Sequence, residues 1–523
     1  MTTLLKEVYN LYKIYTKLNS ALTNSTIVNE SFCREIKAMI LNDGCIAIKF
    51  AQWIISRLRS EPGKHIEYIV NYFDDIFDNC PFHDMNYTNA IFDEYSHYPL
   101  SDLIQPNSLK EIASGSVGQI YRAELLYPYI VCPQCDTVIM HYDAIMTMYK
   151  HNQIHFDNQI HFDKEKYIKE HKCPNCNIFG KAIYDIAIKV KHPNVNQQVA
   201  SKVKLFRMLT ILQNIKWLKN MLNLHMDMND FIDNLTKQID FRNEYDNNHK
   251  FRANFKDNKL ITFPLALEAN EDILISEFVE TQSFDSIPEY TQYKQCLNYA
   301  CMVSQMVLID NFVHADLHHK NWQIKALSSS DEYQLVVFDT GICFDSVELE
   351  TNRIIWESFE SSDVDQIMAI MDNVIIGTYT ENIKKHIKPI LEHYRNTTLN
   401  IGHIMHEINS ILVQYNCRMS TLCLNIILLL CLIDTTLRKH NLIGATYSNT
   451  GDDNSPMRKH QNILRAKNLD LIAYLRSNPG CYTNVLTYFE DKQKRLARTY
   501  RDSNITLFGN GLGSGLVFDI PLD

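Results

Sequence analysis

His314-Ala315-Asp316-Leu317-His318-His319-Lys320-Asn321, followed after a polar loop by Val336-Val337-Phe338-Asp339-Thr340-Gly341, is the stretch on which the reading of this chain turns. Asp316, an amide five residues on at Asn321, and a second carboxylate, Asp339, closing an apolar strand form a metal-nucleotide constellation. Phosphoryl transfer uses such a set: one carboxylate to orient or deprotonate the acceptor, and an amide and a second carboxylate to hold Mg²⁺ against the phosphates. Oxygen ligands on one short hairpin suit a hard cation. Asp316 and Asn321 alone would also fit two loop residues capping local backbone; Asp339 at the end of a β-branched run favours the metal site.

This pattern, His-Ala-Asp-x-His-x-x-Asn and then Asp-x-Gly, resembles the catalytic and metal loops of the ABC1/UbiB family of atypical protein-kinase-like proteins. The resemblance spans roughly residues 40 to 125 and 180 to 440. It implies an α+β, two-lobed kinase-like fold, ATP and Mg²⁺ as ligands, and phosphotransferase or ATPase activity. Asp316 would then orient the acceptor or take its proton, with Asn321 and Asp339 as the Mg²⁺ ligands. Thr340 replaces the bulky residue, commonly Phe, that follows the metal Asp, so the packing switch of ordinary kinases is not expected.

The chain has 523 residues, room for two to four lobes or domains. Its 46% hydrophobic and 21% charged composition is ordinary for a globular protein, and a formal charge of −10 gives no general case for nucleic acid. The 14 Cys are scattered apart from two pairs, which is intracellular usage and not a disulfide framework. Met1 to Ser20 lacks the features of a secretory signal or transit peptide. Leu4, Val8, Leu11, Tyr15 and Leu18 share a helical face that suits packing on the domain or, alternatively, a peripheral membrane contact. Leu422 to Ile433 is too short an apolar run to span a bilayer.

Residues 1–106 read as a helical extension. Within it Ile46 to Arg57 is an apolar helix with Lys49 and Gln52 embedded, and polar groups so placed need partners. The segment is similar to the family's Lys-x-Gly-Gln signature, which in relatives lies across the nucleotide pocket and restrains kinase activity; here Ala51 replaces the Gly. From Leu109 short extended runs begin. Ala113-Ser114-Gly115-Ser116-Val117-Gly118 has the small residues that let backbone N–H groups approach phosphates, though a plain hairpin turn reads the same way. By resemblance it is the family's Ala-rich nucleotide loop, with Ser114 and Gly115 at positions often Ala.

Cys132-Pro133-Gln134-Cys135 and Cys173-Pro174-Asn175-Cys176 are two Cys-x-x-Cys knuckles joined by a 37-residue linker. Four soft ligands so arranged predict a structural Zn²⁺ in a small zinc-ribbon insertion, 127–179. The linker repeats Asn-Gln-Ile-His-Phe-Asp at 152–157 and 158–163, which places His155 and His161 on a tolerant loop, away from the metal.

Ile186-Ala187-Ile188-Lys189-Val190 puts a lysine inside a β-branched strand, costly unless paired. It matches the kinase strand lysine that grips the phosphates. By resemblance Glu244 is its ion-pair partner and Gln238-Ile239-Asp240 the family's Glu-x-Asp element, regulatory together with Lys49 and Gln52. Asp240 and Glu244, four apart, would share a helical face. Gln238 replaces the Glu that pairs with the signature lysine, so Lys49 is expected to lose its charge partner, keeping at most a hydrogen bond to Gln238. Ile273 to Val279 reads as a strand entering the hinge, with Glu277 where backbone meets adenine.

The organisation expected is thus an extension (1–106), a small lobe (107–285) carrying the insertion, a large lobe (286–500) and a flexible tail (501–523). The activity expected is ATP-dependent phosphoryl transfer or hydrolysis. Two alternatives stay open: an ATPase-type regulator of lipid or quinone metabolism, and a zinc-ribbon recognition protein on a kinase-like scaffold. The phosphoryl acceptor, whether protein, small molecule or lipid, and the compartment are not legible.

Overall fold

The computed structural model describes residues 27–58, 64–96, 98–142, 171–201, 228–327, 332–345, 349–360, 364–395, 401–415, 417–420 and 471–502, with single positions at 144 and 203 and short pieces within 9–20 and 423–430. The apolar face at Leu4 to Leu18, the repeated hexapeptide with His155 and His161, and the tail beyond 502 lie outside the described residues. So does half of the Leu422 to Ile433 run.

The N-terminal region is helical. Asn29 caps α1 (Glu30–Asp43), its side chain accepting from the Phe32 amide, and Glu30 favours the positive end of the helix. Gly44 ends it at φ 85, a left-handed position that a side chain resists. Then follow α2 (Cys45–Leu58), α3 (Lys64–Tyr72), a 3₁₀ turn (Asp74–Phe77), α4 (Met85–Tyr95) and the single turn Leu100–Leu103. The extension shares one core with the small lobe, where Ile36, Ile40, Ala47, Ala51 and Phe73 pack with Val195, Leu235 and Phe241.

The strands that follow are β1 (Lys110–Ser114), β2 (Gly118–Val131), β3 (Val138–Met140), β4 (Lys181–Lys191), β5 (Ile261–Thr262), β6 (Ala266–Ala269) and β7 (Ile273–Glu277). Five of them order as β1-β2-β4-β7-β6, with β3 on β2; β5 joins the large lobe. Period-two alternation sends Tyr121, Ala123, Ile186, Ile188, Val190, Ile273 and Ile275 to one face, where Phe92, Leu100 and Leu103 cover them. Each fully buried aliphatic there contributes ~1.5–3 kcal/mol relative to exposure. Ala187, Lys189 and Leu274 fall on the other face, toward the cleft. Gly118 starts β2 so close to β4 that a Cβ would lie 2.9 Å from the Val190 carbonyl.

β2 runs past the expected insertion boundary at 127. Tyr129, Ile130 and Val131 pair with Ile183, Ala182 and Lys181, so the Cys knuckles cap an elongated hairpin and do not hang on a separate loop. Continued burial of Tyr129, Ile130 and Val131 makes extension of the ladder favourable.

α5 (Met228–Gln238) and α6 (Phe241–Asn254) precede the hinge side of the sheet. In the large lobe α7 (Glu289–Gln305) runs into a π turn at Met306–Asp310 and leaves through Asn311 at φ 54. β8 (Phe312–His314), β9 (Trp322–Ala326), β10 (Tyr333–Val337) and β11 (Cys343–Asp345) follow, then α8 (Leu349–Glu360), α9 (Val364–Val374), α10 (Glu381–Arg395), α11 (Ile401–Gln414) and α12 (Thr483–Asp502). The β9–β10 hairpin opposes Trp322 to Val337, and β8–β11 opposes His314 to Cys343. These two registers bring the 315–321 and 338–342 loops side by side. Among the described residues no helix is long and apolar enough to cross a membrane.

Behind the β1–β2 turn, a chain of neutral groups closes on itself. His192 Nε2 lies 3.1 Å from the Gly115 carbonyl, so it carries the proton there. His192 Nδ1 then accepts from His83 Nδ1 (2.8 Å), and His83 Nε2 accepts from Thr88 Oγ1 (2.8 Å). Burial, aided by His192 and opposed by Asp84, pulls His83 from 6.5 down to about 4. Burial also lowers His192, against its bond to Gly115. The unfolded chain therefore binds more protons between about pH 6.5 and pH 4, and stability falls as pH drops through that window. Melting temperatures of His83→Gln should fall less than those of wild type across it; parallel profiles would contradict this origin.

Candidate functional site

A cleft of about 490 Å³ lies between the lobes. Its roof is Ala113, the turn Gly115 to Gly118, Ala187 and Lys189; its back is Leu274 and the segment Ser276 to Thr281, which includes Glu277; its floor is His318, Lys320, Asn321, Asp339 and Thr340. Of the expected loop Ala113–Gly118, Ser114 does not face the cleft. Its side chain is buried behind the turn, near the Pro81 carbonyl and His192, because strand alternation at the end of β1 points it away. The Glu277 carboxylate pairs with Lys181 at 3.4 Å, leaving its backbone as the hinge element.

Lys189 Nζ stands 2.7 Å from Glu244 Oε2 and 3.5 Å from Asp339 Oδ1. Burial works against its charge, but Asp339 and Glu244 outweigh that and hold the ammonium above the usual lysine range. Burial and the neighbouring Asp339 push the Glu244 carboxyl up, with Lys189 opposing. Asp339 resists burial and stays lowered because Lys189 and Lys49 face it. One lysine shared by two carboxylates leaves room for a further cation. Asp339 sits at φ 49, a left-handed conformation that short polar side chains tolerate. The loop after it is fastened to α6: Thr340 Oγ1 donates to the Glu244 carbonyl (3.0 Å), and Asn247 Nδ2 donates to the Thr340 carbonyl (2.8 Å). Where a bulky residue would pack, hydrogen bonds tie the Asp339 loop to the helix of Glu244.

Asn321 Nδ2 donates to the Asp316 carbonyl at 2.7 Å, which leaves its amide oxygen as the atom it can offer a cation. His314, fully buried and lowered by burial, accepts from the Asp316 amide and donates to the Phe338 carbonyl, so it is the neutral Nε2–H tautomer that bridges the two loops. Asn321 and Asp339 line the floor of the cleft, and Asp316, which is not among the lining residues, lies beside them, joined to the lining residues Lys49 and Asn321.

Two expectations about the regulatory residues are corrected. Lys49 has not lost its charge partner: its Nζ lies 2.7 Å from Asp316 Oδ2. A full carboxylate outcompetes a neutral amide for an ammonium, so the hydrogen bond to Gln238 is not formed. Gln238 lines the cleft with its amide oxygen buried and without a hydrogen-bond partner among the described residues. Burial would raise the Asp316 carboxyl, but the Lys49 ammonium outweighs it and holds the carboxyl well below the usual range. Asp240 does not share a helical face with Glu244. It is the N-cap of α6, its carboxylate taking the Arg242 amide and guanidinium, because an Asp there satisfies an orphan N–H. Gln52 is buried and donates to the Ile76 carbonyl at 2.7 Å, pinning α2 to the 3₁₀ turn.

That turn is the part of the site the sequence reading missed. Phe77 packs edge-on against His318 at 4.6 Å between centroids, Lys320 reaches Asp78 at 2.8 Å, and His319 reaches Asp74 at 3.1 Å. The available signal was charge: Asp74, Asp75 and Asp78 in one short run complement the His318-His319-Lys320 run.

At the far end of the sheet, Cys132, Cys135, Cys173 and Cys176 bring their Sγ atoms within 4.8 Å of one another. Tetrahedral Zn–S bonds of ~2.3 Å imply sulfur separations of about 3.8 Å, so the cluster fits that ion. Each knuckle turns through a left-handed residue after its second Cys, Asp136 at φ 57 and Asn177 at φ 56.

The sequence profile of the ABC1 atypical kinase-like domain matches residues 180–371. A Dictyostelium discoideum protein described as a probable serine/threonine-protein kinase, abkC, is 24% identical over 319 residues, which is 59% of this chain and 37% of that one. A mitochondrial ABC1 family protein of Saccharomyces cerevisiae is 28% identical over 212 residues, 38% of this chain and 31% of its own length. The chain therefore spans about a third of the length of these relatives. Rv3197 of Mycobacterium tuberculosis, solved with erythromycin, superposes with a TM-score of 0.31 at 14% identity, covering 61% of this chain and 76% of that one. Within the two-lobed fold, residues 180–371 thus match the ABC1 atypical kinase-like domain, and the chain is similar to ABC1 family proteins over part of their length.

Proposed function

We propose that the chain binds ATP in the cleft and transfers its terminal phosphoryl group, or hydrolyses it, with Mg²⁺. The match to the ABC1 atypical kinase-like domain supports the kinase-like, ATP-binding part of this reading. The observation that carries the rest is that Lys189, Asn321 and Asp339 line a cleft large enough for a nucleotide, with Asp316 joined to them through Lys49 and Asn321. In this reading the amides of the Gly115 to Gly118 turn and Lys189 hold phosphate oxygens, and Glu244 fixes Lys189. Asn321 and Asp339 would hold Mg²⁺, which when bound supplies charge neutralisation on the phosphates. Asp316 orients the attacking hydroxyl or water and accepts its proton. A structural Zn²⁺ on the four cysteines completes the cofactor set.

Water as the acceptor is a second reading with its own support. Lys49 on Asp316, Phe77 on His318 and Asp78 on Lys320 cover the approach to the catalytic loop, which suits a small nucleophile better than a folded protein. Phosphate release from ATP with Mg²⁺, by wild type and Asp316→Asn, tests both. Turnover that depends on Asp316 supports the proposal, release without acceptor supports the second reading, and equal rates in both proteins would refute it.

A further inference from the structure

An ion pair joins the insert to the helix that carries Glu244. Asp136, the residue after Cys135, presents both carboxylate oxygens to Arg252, at 2.7 Å to Nε and 2.8 Å to Nη2. Both side chains are largely buried, 25% and 20% exposed, so this bidentate pair is not screened as a surface pair would be. Arg252 lies in the last turn of α6, the helix whose first turn carries Glu244, and its third nitrogen, Nη1, donates to the Phe263 carbonyl.

The second knuckle serves as an internal control. Asn177 occupies the place of Asp136 with the same left-handed φ, and its amide donates to Cys173 as that of Asp136 does to Cys132 (2.9 and 3.0 Å). A knuckle therefore needs a short polar residue there and not a charge. The carboxylate of Asp136 is accounted for by Arg252.

We infer that metal held by the four cysteines positions Asp136 and, through Arg252, anchors α6, making Asp136 and Arg252 positioning residues for Glu244. Without the metal the four thiols have no common centre, the first knuckle loosens, and the C-terminal end of α6 keeps its strand-side contacts but loses this one. Those contacts are Asn248 to the Pro264 carbonyl and His249 to the Ala266 carbonyl. The link from α6 to nucleotide affinity rests on the proposed function above; the link from metal to α6 does not.

The test uses the full chain as wild type, Asp136→Asn, Arg252→Gln and the double variant. It reads bound zinc, amide hydrogen exchange across 241–254, and affinity for Mg²⁺-ATP. Asp136→Asn keeps the knuckle geometry that Asn177 already adopts, so all four proteins should carry one zinc. Each single variant should speed exchange in the second half of α6 by roughly 10- to 100-fold, as loss of a charge-assisted pair predicts, and weaken Mg²⁺-ATP in step. The double variant should be no worse than either single one. Stripping zinc from wild type with a chelator should reproduce the exchange increase, and stripping Asp136→Asn should add little to it. Zinc-free wild type with unchanged exchange in α6, strictly additive variants, or purified protein that takes up no zinc would each overturn the inference. Failure of wild type to bind nucleotide would instead remove the proposed function, leaving exchange to decide this one.

Discussion

Lys189→Ala is expected to abolish stabilisation by Mg²⁺-nucleotide and to cost the free protein about 3 kcal/mol of its own stability. The second figure is the low end of the range for breaking a buried ion pair, because Glu244, already pushed up by burial, can take a proton once its partner is gone. Until it does, Glu244 and Asp339 face each other as like charges. The first effect follows from linkage: ligand at 100 times its dissociation constant stabilises by ~2.7 kcal/mol, and a variant that cannot grip the phosphates loses that increment. Thermal melts with and without Mg²⁺-ATP separate the two effects. Glu244→Gln should show the same pattern more weakly, since a neutral amide can still orient Lys189.

Asp316→Asn and Lys49→Met should move activity in opposite directions. Removing a positioned general base lowers turnover by about 10²–10⁴-fold. Nucleotide affinity should change little, because Asn321 holds the Asp316 backbone carbonyl and not its side chain. Lys49→Met frees the Asp316 carboxylate and should raise turnover. It also removes the largest charge that keeps that carboxyl low, so the acid limb of the pH–rate profile should shift up toward the ordinary carboxylate range. A Lys49→Met enzyme with unchanged rate and unchanged acid limb would show that this contact does not bear on the chemistry.

The kinase-like fold and the resemblance to the ABC1 family could be read from the sequence because their signals are local. The 314–321 and 336–341 motifs sit on adjoining turns, Lys189 interrupts an otherwise β-branched strand, and each Cys-x-x-Cys is complete within four residues. What stayed hidden were pairings made across the chain. Lys49 and Asp316 are 267 residues apart, so a substitution at Gln238 suggested a lost partner where the fold supplies another. Asp240 looked like a helix-face residue because spacing alone does not tell an N-cap from the first turn. The cover formed by Asp74 to Asp78 over the catalytic loop left only complementary charge as its mark, and the Asp136–Arg252 link from the insert to α6 joins segments whose sequences carry no mark of one another. Ser114 was misplaced for a different reason: a loop named by its small residues does not say which of them turns inward.

We propose that Lys189 and Asp339 build a Mg²⁺-nucleotide site in the cleft. The most direct test is the melting temperature of wild type, Lys189→Ala and Asp339→Asn with millimolar ATP or ADP, each with and without Mg²⁺. Wild type should show a Mg²⁺-dependent upward shift that both variants lack. A wild type that does not shift, or variants that shift as wild type does, would contradict it.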